Sequence, residues 1–195
     1  NLKGERFVDE GEDFRNFTYA KFGREVINQP KQVGWQIFDK KVRHMLYPEY
    51  DVKSATMVKA NSIKDLMYKI KGMNRSKALK TIFLYNNAVT KNIKFDPTIK
   101  DGKKTTGLKI NKTNWANLID KPPFYAYGVT CGITFTFGGL KVDKKCQVLN
   151  KFRKPIKGLF AAGEIIGGIF YFNYPGGSGL TSGAVFGKIA VKSAA

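Results

Sequence analysis

The chain has 195 residues, room for one ordinary domain or two small lobes, and 43% of them are hydrophobic, enough to pack a core. Thirty-four Lys and Arg against 15 Asp and Glu give a net charge of +19, a field that draws anions such as a small carboxylate or nucleic acid, unless the lysines serve solubility alone. No apolar run reaches the ~18–20 residues of a membrane span, and Cys131 and Cys146 offer neither metal-ligand spacing nor a disulfide framework, so they read as reduced packing residues of a cytoplasmic protein.

The first ten residues read as a turn and a short strand in the middle of a domain, as expected of a piece of a longer protein. Residues 14–28 carry Phe17, Ala20, Phe22 and Val26 at a loose helical spacing, stopped by Gln29-Pro30. Residues 33–38 alternate as a strand, and residues 40–46 form a short helix ended by Tyr47-Pro48. Ser62 caps a helix over residues 63–70 that Gly72 closes. Ser76 caps a longer helix with Leu79, Ile82, Phe83 and Tyr85 on one side. Residues 94–112, with Asp96-Pro97 and Asp101-Gly102, are loop. Aromatic and β-branched residues make strands of 124–137, broken by Gly138-Gly139 and resumed over 140–142.

Residues 158–164 read as a buried strand ending in a small-residue turn. A glycine-rich loop over 167–179 follows, then a helix from about Leu180 to Ala194 whose buried side holds Ala184, Val185, Ile189 and Ala190. This order suits a cofactor. Glycines let backbone approach a ligand, and a helix start favours negative or electron-rich groups. The only histidine, His44, sits among Lys40, Lys41 and Arg43 on an exposed helix. It cannot form a multi-histidine metal site, so no metal is expected.

The run from Pro155 through Gly158-Leu159-Phe160-Ala161-Ala162-Gly163-Glu164, with Gly167-Gly168 and Asn173-Tyr174-Pro175-Gly176-Gly177, is more specific. It closely resembles the C-terminal FAD motif of the fumarate reductase/succinate dehydrogenase flavoprotein family. Gly4-Glu5-Arg6-Phe7-Val8-Asp9-Glu10 resembles the entry to the same family's capping domain. The tricarballylate dehydrogenase-like and 3-ketosteroid dehydrogenase-like branches are the nearest in pattern, and residues 154–190 then form the flavin-facing end.

The resemblance implies roles residue by residue. Gly163 and Glu164 would hold FAD, the carboxylate accepting from ribityl or ribose hydroxyls. Gly179 and Leu180 would offer backbone to the isoalloxazine ring at the helix start. Thr134 and Gly177 would meet the substrate. Tyr174 resembles the tyrosine of the ketosteroid dehydrogenases that faces substrate, where a phenol donates a hydrogen bond or moves a proton; the alternative is a tyrosine packed under its loop. Arg15 lies one residue out of register with the proton-shuttling arginine of fumarate reductases, and its alternative is a surface ion pair with Asp13 or Glu12.

Departures from fumarate reductase matter too. Tyr174 stands where that branch has arginine, and Phe170 where it has histidine. Thr134-Phe135 replaces a His-His pair. A dicarboxylate clamp is incomplete, which moves the expected substrate away from fumarate and, with the positive charge, towards a polycarboxylate.

The expected fold is α+β: a capping domain over residues 1–133 and, over 134–195, the C-terminal segment of a Rossmann-like FAD-binding domain. The family's Gly-x-Gly-x-x-Gly half is absent from this sequence. The expected activity is FAD-dependent hydride transfer between flavin N5 and a substrate carbon next to a carboxylate or carbonyl. The expected partners are a small anionic substrate and a missing N-terminal FAD-binding segment or second chain, with no membrane. Two other readings stand beside it: a fragment that is inert alone and holds no FAD, and a basic nucleic-acid-binding module supported by charge only.

Overall fold

The computed structural model describes residues 1–133 and 136–195. The chain forms two compact units, one of Asn1–Phe14 with Phe22–Cys131, the other of Arg15–Lys21 with Gly132–Ala195. Helix and sheet are mixed in the chain, and no helix among the described residues is long and apolar enough to cross a membrane.

The first unit is organised on an antiparallel sheet of β1 (Gly34–Phe38), β2 (Met57–Ala60) and β3 (Phe124–Val129), ordered β1-β3-β2. Ile37 and Val58 both lie opposite Ala126. A small residue at the centre of the central strand lets helices approach. α2 (Ile63–Lys69) and α3 (Arg75–Ala88) use that room, and Leu66, Met67, Ile70, Ala78 and Ile82 pack with Phe124 and Ala126 into one core. Across the sheet, Tyr50 and Tyr127 meet edge to face at 4.9 Å, with Arg43 5.9 Å from the Tyr127 ring centre.

Polar anchors fix the connections. Asp39 is buried, and its carboxylate accepts from the backbone N–H of Lys41 (2.9 Å), Asp120 (3.1 Å) and Lys121 (3.1 Å) and from the Lys41 ammonium at 2.6 Å. Burial pushes that carboxyl up, but these hydrogen bonds outweigh it and hold it below its ordinary value. The polar stretch 94–112 is a loop, as expected, but a tied one: the Trp115 indole N–H donates to the carbonyls of Asp96 (3.0 Å) and Ile99 (2.7 Å).

Several local expectations change. Residues 1–10 form no strand, because Gly4 turns left-handed (φ +77°) and the segment bonds to the start of α3, with Asn74 N–H donating to Leu2 O at 2.9 Å. The α3 cap is Asn74, whose side chain accepts from Lys77 N–H at 3.1 Å, two residues before Ser76. Phe83 points outward, while Ala78, Ile82 and Tyr85 are the buried positions. The helix read over 40–46 is a 3-10 helix, Lys40–Met45.

In the second unit β4 (Gln147–Leu149) and β5 (Pro155–Phe160) form a two-stranded antiparallel hairpin. Asn150 holds its turn by accepting from Phe152 N–H (2.9 Å) and Lys154 N–H (3.1 Å). The reading of residues 158–164 as a buried strand is corrected. Among the described residues β5 pairs with β4 alone, and its residues are exposed up to Phe160. A β-bridge joins Leu140 to Ile166. There Gly139 and Gly167 pass so closely that a Cβ on Gly139 would stand 2.3 Å from Ile165 O. The chain ends in α4 (Ser178–Ala194), beginning two residues earlier than expected. Its predicted buried side is corrected too, since none of its residues is buried.

Candidate functional site

Two features of the second unit meet at the start of α4. The first is a helix end without a cap. Gly177 takes a left-handed conformation (φ +83°) that few side chains tolerate, and it supplies no side-chain acceptor. The first N–H groups of a helix have no intrahelical partner, and the helix dipole makes them favourable to negative charge. Among the described residues, no atom beyond the adjoining backbone lies within 4 Å of where a Cβ would stand on Gly177 or Gly179. A cavity of about 530 Å³ adjoins this helix start, lined among others by Phe170, Gly176, Gly177, Ser178, Thr181 and Val185. It opens widely to solvent.

The second feature is a ring cluster on the loop before α4. Tyr174 has Tyr19 edge-on at 5.3 Å, Phe170 at 5.6 Å and Phe137 at 6.1 Å. The loop lies on α1 (Arg15–Ile27), through the residues of that helix that belong to the second unit. Asn173 Nδ2 donates to Phe17 O at 2.7 Å, and the Asn16 side chain sits 3.4 Å from where a Cβ of Gly176 would stand. Phe172 holds a left-handed backbone (φ +65°), a strain that such a loop sustains only when its surroundings fix it.

The expected site residues divide as follows. Tyr174 meets Tyr19 by ring contact and hydrogen bonding, and Arg15 stands one turn before Tyr19 on α1. Tyr174 and Tyr19 are far apart in sequence and brought together by the fold. Of Asp13 and Glu12, the two carboxylates expected as alternative partners of Arg15, Asp13 accepts from the Lys100 ammonium at 3.0 Å. Gly177 lines the cavity, and Gly179 and Leu180 are in the first turn of α4. Gly163 and Glu164 lie in the 3-10 turn Gly163–Ile165, with Gly163 at φ +83° and Glu164 accepting a long 3.3 Å bond from Thr136 N–H. Thr134, with Phe135, lies outside the described residues.

Sequence reasoning missed Tyr19, Asn16 and Asn173. A signal existed for Tyr19, since Arg15 and Tyr19 are four apart on a predicted helix and therefore share a face. Asn173 heads the motif already singled out, though without a role, and nothing local marked Asn16. A separate cavity of about 550 Å³ lies inside the first unit, lined by Trp35, Ile37, Tyr85, Trp115 and Leu118 among others, and none of the expected site residues borders it.

A strand, a 3-10 turn with a carboxylate, a glycine-rich loop and an uncapped helix follow one another in the second unit. The chain belongs to the FAD binding domain family, whose model matches residues 1–180. FAD is the cofactor of that family, and the residues fit it: open glycine backbone at Gly177 and Gly179 admits a flat ring, and the free helix end suits its electron-rich edge.

Similarity extends through the whole chain. It is 32% identical over 204 residues to a probable fumarate reductase, Ifc3, of Shewanella frigidimarina, covering 100% of this chain and 30% of that protein. The structure of the open conformation of a flavocytochrome c3 fumarate reductase matches with a TM-score of 0.71 and 30% identity, over 100% of this chain and 31% of that one. The 3-ketosteroid delta1-dehydrogenase of Sterolibacterium denitrificans, in complex with 1,4-androstadiene-3,17-dione, matches with a TM-score of 0.70 and 25% identity, over 98% and 37%. The chain thus spans about a third of the length of each.

Proposed function

We propose that this chain is the substrate-facing portion of an FAD-dependent oxidoreductase that forms or reduces a carbon–carbon double bond next to a carboxylate or carbonyl. The observation that carries it is the contact of Tyr174 with Tyr19, on the loop that leads into the uncapped start of α4.

In this reading residues 1–133 are the capping domain and residues 134–195 part of the FAD-binding domain. Gly163, Glu164, Gly179 and Leu180 hold the cofactor, and Thr134 and Gly177 meet the substrate. When bound, FAD supplies hydride exchange at N5 with one carbon of the double bond. The chain's residues do the rest. The ring cluster keeps water from the reacting carbons. Tyr174 hydrogen-bonds the activating oxygen, or gives or takes the proton at the neighbouring carbon, and Arg15 holds a carboxylate or the proton source.

The substrate class needs revision. The preference for a polycarboxylate over fumarate rests on net charge and departures from one motif, whereas the Shewanella relative is named for fumarate. The rings around Tyr174 also suit a flat conjugated ketone, in keeping with the dione held by the steroid dehydrogenase. The shared chemistry is a double bond conjugated to an electron-withdrawing carbonyl.

The exposed faces of β5 and α4 support completion by a further FAD-binding segment, in the same polypeptide or a second one, and the 195 residues alone should then be inert. The test is anaerobic reoxidation of the reduced full-length flavoprotein by fumarate, trans-aconitate and cyclohex-2-enone. At least one should reoxidise the flavin, and an unconjugated alkenoate should not. No reoxidation by any of them sinks the proposal. The isolated 195-residue chain should purify colourless, and a yellow one would overturn the need for a further segment.

A further inference from the structure

Tyr19 is the side chain of α1 that touches Tyr174 in two ways. Its ring stands perpendicular to the Tyr174 ring, 89° between planes at 5.3 Å, an edge-to-face geometry that restrains both rotamers. Its hydroxyl reaches back to the Tyr174 carbonyl at 3.4 Å, a long hydrogen bond that addresses the backbone of the same residue. One turn earlier on the helix is Arg15, at the spacing that puts two side chains on one face.

The rest of the contact explains why Tyr19 matters more than its neighbours. Asn173 Nδ2 to Phe17 O, at 2.7 Å, and Asn16 beneath Gly176 both hold the loop's backbone. Tyr19 meets the ring of Tyr174 itself, beside Phe170 and Phe137, and of these rings it is the one carried by α1. Its own phenol is pushed up by burial, then by its hydrogen bond with Tyr174 and that residue's charge, while Arg15 pulls the other way. Tyr19 therefore remains a neutral donor across the working pH range.

We infer that Tyr19 is a positioning residue of the reaction centre, fixing the Tyr174 ring and tying it to Arg15 so that the three side chains act as one unit in proton transfer. The inference rests on Tyr174 meeting the substrate, as proposed above. It makes Tyr19 a residue that acts through Tyr174, with no contact to substrate of its own. Residues acting as a unit lose activity non-additively when removed.

The test is a double-mutant cycle in the full-length flavoprotein, reading reoxidation of reduced flavin by whichever of fumarate, trans-aconitate and cyclohex-2-enone turns over fastest. Tyr19→Phe should keep flavin absorbance and lower kcat by about tenfold with KM within about twofold, and Tyr174→Phe should lower kcat by about 100-fold. The double variant should be within about twofold of Tyr174→Phe alone. Losses that multiply, a Tyr19→Phe protein with unchanged kcat, or one that is colourless because Tyr19 only holds up the fold, would each overturn the role. If Tyr174→Phe itself turns over like wild type, the assignment of Tyr174 fails first and Tyr19 falls with it. If only Tyr19→Phe is silent, Tyr174 keeps its role and this inference alone is lost.

Discussion

The two units spend their hydrophobic residues differently. The first closes a core of its own: Leu66, Met67 and Ile70 are fully buried between two helices and a sheet. The second has an apolar helix of 17 residues with none of them buried, and a strand paired on one edge only. Leu180 is 85% exposed and Val191 71%, where an amphipathic helix turns its apolar stripe to a core. One unit reads as an object stabilised from within. The other leaves its helix, its open helix end and its ring-lined loop largely exposed.

That contrast breaks most directly in the core. Leu66→Ala removes a fully buried side chain and should cost the first unit about 2–5 kcal/mol. Val191→Ala on α4 should cost under about 0.5 kcal/mol in the same chain. Denaturant unfolding followed by separate probes for each unit checks both. Comparable losses would mean that α4 is packed after all. In the full-length flavoprotein the small effect at Val191 should grow, because its face is then covered.

Asp39 gives the next largest effect and a pH signature. Its carboxyl lies below the ordinary value because it accepts three backbone N–H bonds and the Lys41 ammonium. A depressed carboxyl contributes stability that is present above the unfolded value, ~3.9, and is lost as pH falls through the lower folded one. Asp39→Ala should therefore cost about 2–3 kcal/mol near pH 7, where it leaves buried donors unpaired, and less as the wild type is acidified below about pH 4. A cost that stays constant down to pH 2 would show that the charge is not what holds the loop.

The second unit has its own rigid point where Gly139 and Gly167 cross. Gly139→Ala would drive a methyl to 2.3 Å from Ile165 O. The backbone must shift, at a cost of about 1–3 kcal/mol, and the turn carrying Glu164 moves with it. Flavin retention in the full-length protein should fall. Unchanged retention would separate Glu164 from cofactor binding.

What could be read from the sequence follows the same division. Helices with local signals were legible: Ser62 as the cap of α2, with the helix ending just before the left-handed Gly72, and α1 stopped ahead of Pro30. The segment expected to face the cofactor was marked by its motif, and two of its glycines, Gly163 and Gly177, take the left-handed backbone that few other residues adopt. Burial was misread at β5 and α4. Apolar pattern tells which face seeks cover, and only the folded chain tells whether cover is there. β2 and the hairpin strand β4 carry too few residues for a period to register. Tyr19 gains its meaning from Tyr174, a contact 155 residues away in the chain, and no local window contains it.

The smallest effects test the contrast at two helix starts. α3 in the first unit opens on Asn74, whose side chain accepts the Lys77 N–H at 3.1 Å. Asn74→Ala should cost about 1 kcal/mol, while Ser76→Ala, two residues further in, should cost a few tenths. α4 opens on Gly177, with φ +83° and no acceptor. If that end were merely an unoptimised cap, Gly177→Asn would stabilise the chain, because Asn is among the best caps and tolerates the left-handed region better than other non-glycine residues. If the free N–H groups are kept for a ligand, the added side chain competes for them. Gly177→Asn should then leave the isolated chain within about 0.5 kcal/mol of wild type and weaken flavin binding in the full-length protein by about tenfold, the worth of one charge-assisted hydrogen bond. Tighter flavin binding in Gly177→Asn would mean that the helix start is not where the cofactor's electron-rich edge sits.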